Sequence, residues 1–476
     1  MRINAIVATA GALGVCAAAA ASADVEASGA ETMERVMELK TKEWEAARAK
    51  GVFGGSAKYR KITKTNKCKK GVATDGDAAY RCNNVDLHGF LSHEDLGSNT
   101  MEGNDVWGWT APGGREFGIV GQTDGVGFVE ITWNGNLEYL GRLDTQTTAT
   151  SWRDIKVIGN HAYIGAESHD HGMQIFDLTK LLDVKPWWNP FFWKPKVFDK
   201  TRDLTALYTG FGASHNLVAH EATNMIYAVG GRSGANARNT SCAGGMFMVD
   251  VSNPAKPFSP GCVPQDGYVH DAQCVIYTGP AEKYRGREIC FNYNERRLTV
   301  MDVTDKANPV VVSRTPYEGF AYTHQGWLVD ETMTFLLLDD ELDERDGKNP
   351  GADGHTTTYI FNVTNLEAPF TTGYYKSPAK SIDHNQYVVK GLTYQANYGS
   401  GLRIVDVSGV ERDPTGGNFQ EVGFFDCHPE DDDVNGVVAF LGTWSVYPYF
   451  KSGYILLNSI ERGIFSLKYT GKKAKY

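Results

Sequence analysis

The chain of 476 residues is too long for one small core and suits either a large repetitive domain or two to three ordinary ones. With 47 basic against 57 acidic residues the formal charge is −10, which argues against a nucleic-acid partner. Beyond the first 23 residues no stretch reaches the ~18–20 uninterrupted apolar residues of a membrane helix.

Residues 1–23 carry Arg2, an apolar centre rich in Ala, and Ala21-Ser22-Ala23 before Asp24, the small-x-small pattern of a signal-peptidase site. A cleaved secretory signal is expected, and with it a secreted, extracellular protein; a membrane span is the competing reading. Export permits disulfides. Once Cys16 is removed, sequence neighbours pair as Cys68–Cys82, Cys242–Cys262 and Cys274–Cys290, leaving Cys427 over. Glycosylation sequons at Asn239 ("NTS") and Asn362 ("NVT") agree with that location.

Residues 24–81 read as an N-terminal helix and linker. Helix formers with apolar Val36, Leu39 and Trp44 predict a surface helix over 24–50, and a Lys-rich, Gly-containing linker follows over 51–80.

From about residue 104 the texture changes to short β-rich runs broken by Gly, Asn, Asp and Pro. "GGMFMVDVSNPAKPFSPG" (244–261), "RRLTVMDVTDKANPVVVS" (296–313), "HTTTYIFNVTNLEAPFTTG" (355–373) and "SGLRIVDVSGVE" (400–411) share one plan: a β-branched run, Asp or Asn, an apolar residue, then a Ser/Thr turn. Two similar runs precede each copy, so the unit is a four-stranded meander of roughly 50 residues, the signature of a solenoid, an array or a propeller. First strands recur near residues 105, 154, 216, 271, 325, 385 and 444. The seventh unit shows only three strands, and "NVDLHGFL" (84–91) is placed to supply the fourth and close a ring. The expected fold is all-β, a seven-bladed β-propeller over 82–470 with a short basic tail at 471–476; six or eight blades are the alternatives.

A polar pair stands at the entry of each first strand: Asn104-Asp105, Arg153-Asp154, His215-Asn216, His270-Asp271, His324-Gln325, His384-Asn385 and the unlike Trp444-Ser445. Four consecutive units carry His at one register position, although the chain has only 12 His. First strands line the channel of a propeller, so these histidines should ring its mouth. The loops after the second strands open on the same face. They would bring a polar rim there: Asp105, Asp154, Glu167, His169, His171, Asp271, Asn294, Asp339, Asp340, Glu341 and Asn397, with Trp109, Tyr293, Trp327 and Tyr398 as stacking surfaces.

Converging imidazoles favour neutral rings or a bound cation, and His215, His270, His324 and His384 are the candidate ligands of a divalent metal (Fe, Zn, Cu, Ni or Mn). The competing reading is structural, each polar pair bonding the backbone of the next blade. The acidic run "LLLDDELDE" (336–344) also has the oxygen donors of a hard-cation site, without the glycine-punctuated spacing of a calcium loop.

The segments "NDVWGW" (104–109), "SWRDIKV" (151–157), "HGMQIFDL" (171–178), "DGYVHDAQCV" (266–275), "YTHQGWL" (322–328), "DHNQYV" (383–388) and "YQANYGSGLRI" (394–404) closely resemble the choice-of-anchor B family of secreted proteins built from LVIVD-type repeats. The resemblance implies an exported or surface-anchored propeller and no particular reaction. The end "KYTGKKAKY" carries no apolar tail, so the anchored form is not expected. Two functional expectations stand together. One is a binding propeller whose His-ringed face takes a glycan, a peptide or a cell-surface partner, with or without a metal. The other is a metal-dependent enzyme, oxygenase- or lyase-like, with His270, His324 and Arg153 as catalytic candidates.

Overall fold

The structure is a computed structural model that describes residues 33–186, 193–231, 241–472 and 474. The expected signal segment and the Asn239 sequon lie outside the described residues.

Seven four-stranded meanders form a closed seven-bladed propeller. Its innermost strands are Gly103–Thr110, Arg153–Ile158, Asn216–His220, Asp271–Ile276, Thr323–Leu328, Asn385–Val389 and Thr443–Tyr447, defining blades 1 to 7. Val85–Ser92 pairs antiparallel with Gly463–Tyr469, with Phe90 opposite Phe465, and so completes blade 7 as expected. Ring closure satisfies backbone groups that a free edge would expose.

The repeat signature has a local cause. At the end of the third strand, Asp177, Asp250, Asp302, Asn362 and Asp406 each accept, through Oδ1, the backbone N–H two residues on (2.9–3.1 Å). This Asx turn reverses the chain toward the fourth strand. The "NVT" at 362 therefore stands where other blades have Asp-x-Ser/Thr, so turn geometry accounts for a match that also reads as a sequon.

All three expected disulfides form, and Cys427 is free and buried. Residues 72–83 depart from the expected linker. Val72–Asp75 and Ala78–Asn83 make a hairpin that pairs with the outer strand of blade 6 through Cys82 and Phe425, where Tyr80 and Cys82 are buried. Alternation of Tyr80 and Cys82 with Arg81 and Asn83 was the available strand signal; the lysines that precede it obscured it.

The helix, 33–49, does not lie on a lateral surface. Its buried stripe is Met33, Val36, Lys40, Trp44 and Ala47, at spacings of three and four, and it packs against Trp152, Tyr322, Tyr398, Phe440 and Trp444 over the channel mouth.

Candidate functional site

The polar pairs first do structural work. At the blade 1–2 junction Asn104 Nδ2 donates to the Ser151 carbonyl (3.1 Å) and Asp105 accepts from Ile155 N (2.9 Å). Asp154 accepts from Leu217 N (2.7 Å), Asn216 donates to the His270 carbonyl (3.0 Å), and Gln273 accepts from Leu328 N (2.8 Å). Gln325 bonds both backbone groups of Gln386 (3.0 and 3.1 Å), Asn385 donates to the Trp444 carbonyl (3.0 Å), and Asn458 returns to the Asn104 carbonyl (2.9 Å). Every blade junction thus carries a side-chain staple to the next inner strand, which satisfies backbone groups that sheet pairing leaves open along the axis.

The four histidines form an arc within that ring. Ring centroids step 4.4 Å from His215 to His270, 4.1 Å to His324 and 4.3 Å to His384, and all four are buried. His270 Nδ1 donates to the His324 carbonyl (2.8 Å) and His384 Nδ1 to the Trp444 carbonyl (2.6 Å). A carbonyl can only accept, so Nδ1 holds the proton on both rings and Nε2 keeps its lone pair. His215 Nδ1 meets Glu167 (2.7 Å). Burial lowers His324 to about 3, with Glu341 opposing and Lys40 adding to the effect; burial and neighbouring imidazoles push His270 and His384 well below the usual histidine value. These three rings are neutral at pH 7.

Glu341 closes the arc. His384 Nε2 lies 3.6 Å and His324 Nε2 3.9 Å from its carboxylate, and Tyr398 donates to Oε1 (2.5 Å). The same Oε1 receives the Lys40 ammonium at 2.6 Å, between two side chains shut off from solvent. The rings of Trp444, Phe440 and Tyr398 surround that ammonium at 5.2, 5.5 and 5.9 Å. Burial alone would raise the Glu341 carboxyl, but Lys40 and the hydrogen bonds more than offset it and hold it below the ordinary glutamate value. Trp44 seals the mouth beside it, donating to the Phe440 carbonyl (2.7 Å) and packing on Trp152 and Trp444.

Among the described residues, His324, Glu341 and His384 form one of two groups spaced to hold a metal ion; exposure and chemistry set it apart from the all-carboxylate group Asp426, Asp431 and Asp432. Two imidazole nitrogens and a carboxylate oxygen suit a borderline transition metal. His215 and His270 stand beside this set rather than in it.

The LVIVD repeat family model matches residues 151–177 and 242–262, in blades 2 and 3. The chain is an LVIVD-repeat β-propeller. No protein of curated function matches it. Among solved structures, the β-propeller domain of Cps50 (Swd1) from Myceliophteria thermophila is similar at 10% identity and a TM-score of 0.44, covering 74% of this chain and 93% of that one. A functionally unknown protein from Desulfotomaculum acetoxidans is similar at 9% identity and 0.43, covering 69% and 92%.

The other expected rim residues of this LVIVD propeller are dispersed. Arg153 is buried between blades, donating to the Gln122 carbonyl (2.9 Å) and Thr145 (2.8 Å) beside His171. His169 is exposed and pairs with Asp170; Asn294 bonds Asp266 and Asn397 bonds Thr356. Trp109, Tyr293 and Tyr398 are buried, Tyr398 against Lys40 and His384, and Trp327 lines the channel below the histidines. Asp339, Asp340, Asp343, Glu344 and Asp383 are all buried behind Glu341. Gln386 donates to Asp339 (2.7 Å) and Tyr317 to Asp340 (2.6 Å), while neither oxygen of Asp383 has a partner.

The feature that sequence reasoning missed is Lys40. A lysine in the apolar stripe of an amphipathic helix, four residues before Trp44, was the visible signal; its partner Glu341 lies 301 positions away, beyond any local pattern.

Proposed function

We propose that the protein is an exported binding propeller whose recognition site is the His-ringed end of the axial channel, with helix 33–49 as its built-in occupant. Export is supported by the three disulfides. The resemblance to the choice-of-anchor B family agrees with it.

One observation carries the reading: Lys40, a cation supplied by the chain itself, occupies Glu341 at the point where His324 and His384 also aim Nε2. A site of neutral imidazoles, one carboxylate and an aromatic surround takes a cation, and a divalent transition metal is the competitor its donors suit best. A peptide or cell-surface partner that displaces the helix would meet the same groups. The donor set also supports the alternative of a metal-dependent enzyme, since two His and one carboxylate leave positions open on Fe(II). Burial of Lys40 and Trp44 favours binding, because any substrate must first lift the helix.

The test is metal binding by calorimetry with Zn(II) and Ni(II) on three proteins: wild type, Lys40→Met, and His324→Ala with His384→Ala. Stoichiometric binding that tightens in Lys40→Met and vanishes in the double variant supports the reading. Equal, weak binding by all three sinks it.

A further inference from the structure

A second site lies on the same axis, away from the helix. Trp107, Lys156, Trp327 and Tyr387, each three residues past the polar entry of its inner strand and so about 10 Å further at the rise of a strand, line a cavity of about 270 Å³ together with Tyr449 and with Asp271, the residue after His270. Trp107, Trp327, Tyr449 and Asp271 are half-buried, so the cavity meets solvent.

Its rings stand at steep angles around Tyr387: Trp107 at 5.6 Å and 81°, Trp327 at 5.0 Å and 78°, Tyr449 at 5.8 Å and 65° between centroids and planes. The four rings pack about Tyr387 and line one cavity, and an aromatic-walled space attracts a cation. Lys156 shows that the wall accepts one, its Nζ lying 4.7 Å from the Trp107 centroid. That ammonium is already matched by Asp154 (2.7 Å) and by Asp105 (3.6 Å).

Asp271 is left over. Asp105 and Asp154 staple the next blade, but in blade 4 Gln273 does that task, and Asp271 accepts only from its neighbour Ala272 N (2.7 Å). Among the described residues no Lys, Arg or His reaches it in an ion pair. Burial lifts its carboxyl to about 7 against the pull of Lys156, as expected of an anion short of counter-charge.

We propose that this cavity binds a small organic ammonium ion, with Asp271 as counter-charge and Trp107, Trp327, Tyr387 and Tyr449 as the ring faces. A sugar fits the lining less well, because the Gln325 amide and the Gln273 Oε1 are spent on backbone staples. The volume lies just below the ~300–1,000 Å³ of ordinary small-molecule sites, which suits a compact head group such as trimethylammonium.

The experiment is a tryptophan-fluorescence and calorimetric titration of the full chain at mildly alkaline pH with choline, with its uncharged isostere 3,3-dimethylbutanol, and with glucose. Saturable choline binding, weaker by about tenfold or more for the isostere and for Asp271→Asn or Trp327→Leu, is expected. Thermal melts establish that each variant is folded, and two separate variants keep the test open if one is not. The proposal is overturned if choline fails to saturate, if the isostere or glucose binds as well, or if folded Asp271→Asn keeps full affinity. The His324→Ala, His384→Ala variant should bind choline like the wild type, so failure of the metal reading at the other end is read separately.

Discussion

The Lys40 ammonium and Glu341 Oε1 lie 2.6 Å apart with both side chains closed to solvent, so a residue of the N-terminal helix neutralises the carboxylate that faces His324 and His384. Breaking a buried pair by removing one partner costs about 3–5 kcal/mol, because the survivor is left charged and dry. Lys40→Met should therefore lower the unfolding free energy by about that much. Adding Glu341→Gln to it should recover most of the loss. Urea denaturation of the two single variants and the double variant measures the coupling; independent, additive losses would mean that the pair does not form. Limited proteolysis within 33–49 should speed up in Lys40→Met, since the helix then loses a buried ion pair to the ring.

The blade staples differ in what they leave behind when cut. Asp154→Ala strands Leu217 N–H and leaves the buried Lys156 ammonium only the longer pair to Asp105 (3.6 Å), whereas Asn216→Ala strands one carbonyl, that of His270. The first should cost about 3–5 kcal/mol and the second about 1–2 kcal/mol. Thermal unfolding of the two variants in parallel checks the order, and a reversal would show that Lys156 finds a new partner.

The propeller was legible in the sequence because its repeat is local. Each unit spells its own strands, and the Asp-x-Ser/Thr signature records a turn closed within three residues. Register then placed His215, His270, His324 and His384 at one level, and the structure puts them side by side. Chemistry at the mouth was less legible, since it depends on which atom each ring spends on the backbone. Asn294 and Asn397, expected on the rim, and Arg153, a catalytic candidate, bond to Asp266, Thr356 and the Gln122 carbonyl for the same reason: a polar residue reads alike whether it faces the axis or clamps a neighbouring segment. Asp271 could not be told from Asp154 without seeing which of them meets an amide.

Asp383 is buried with both oxygens unpartnered among the described residues, next to Asp339 and Asp343. Burial first, and these neighbours next, raise its carboxyl well above the usual aspartate value. A raised folded value means that stability is lost as pH rises above the unfolded value near 3.9. Asp383→Asn should then be neutral or stabilising by up to about 1–3 kcal/mol, with the gain growing toward alkaline pH. Denaturation at two pH values decides it. A variant markedly less stable than wild type would instead reveal a cation beside Asp383 and return the run 336–344 to a hard-cation reading.

His428 and Glu461 together stabilise the fold over a pH window bounded on both sides. They meet at 2.8 Å, His428 in the segment after the outer strand of blade 6 and Glu461 in the loop before Gly463–Tyr469 of blade 7, and both are buried. Burial lowers His428, but the bond to Glu461 and the charges of Glu461 and Glu430 more than offset it and lift it to about 9. Burial likewise raises Glu461, but His428 and Arg462 outweigh it and bring it to about 2. The histidine's contribution is whole below its unfolded value near 6.5 and is lost as pH climbs through 9; the glutamate's is whole above about 4.3 and is lost as pH falls through 2. The pair therefore stabilises most between about pH 4.3 and 6.5. The melting-temperature difference between wild type and His428→Asn isolates this pair from the buried acids, which also weaken the fold as pH rises. That difference should be flat from about pH 5 to 6.5 and shrink steadily toward pH 9. A difference that stays constant to pH 9 would show that His428 is neutral in the folded protein and that Glu461 is held by Arg462 alone.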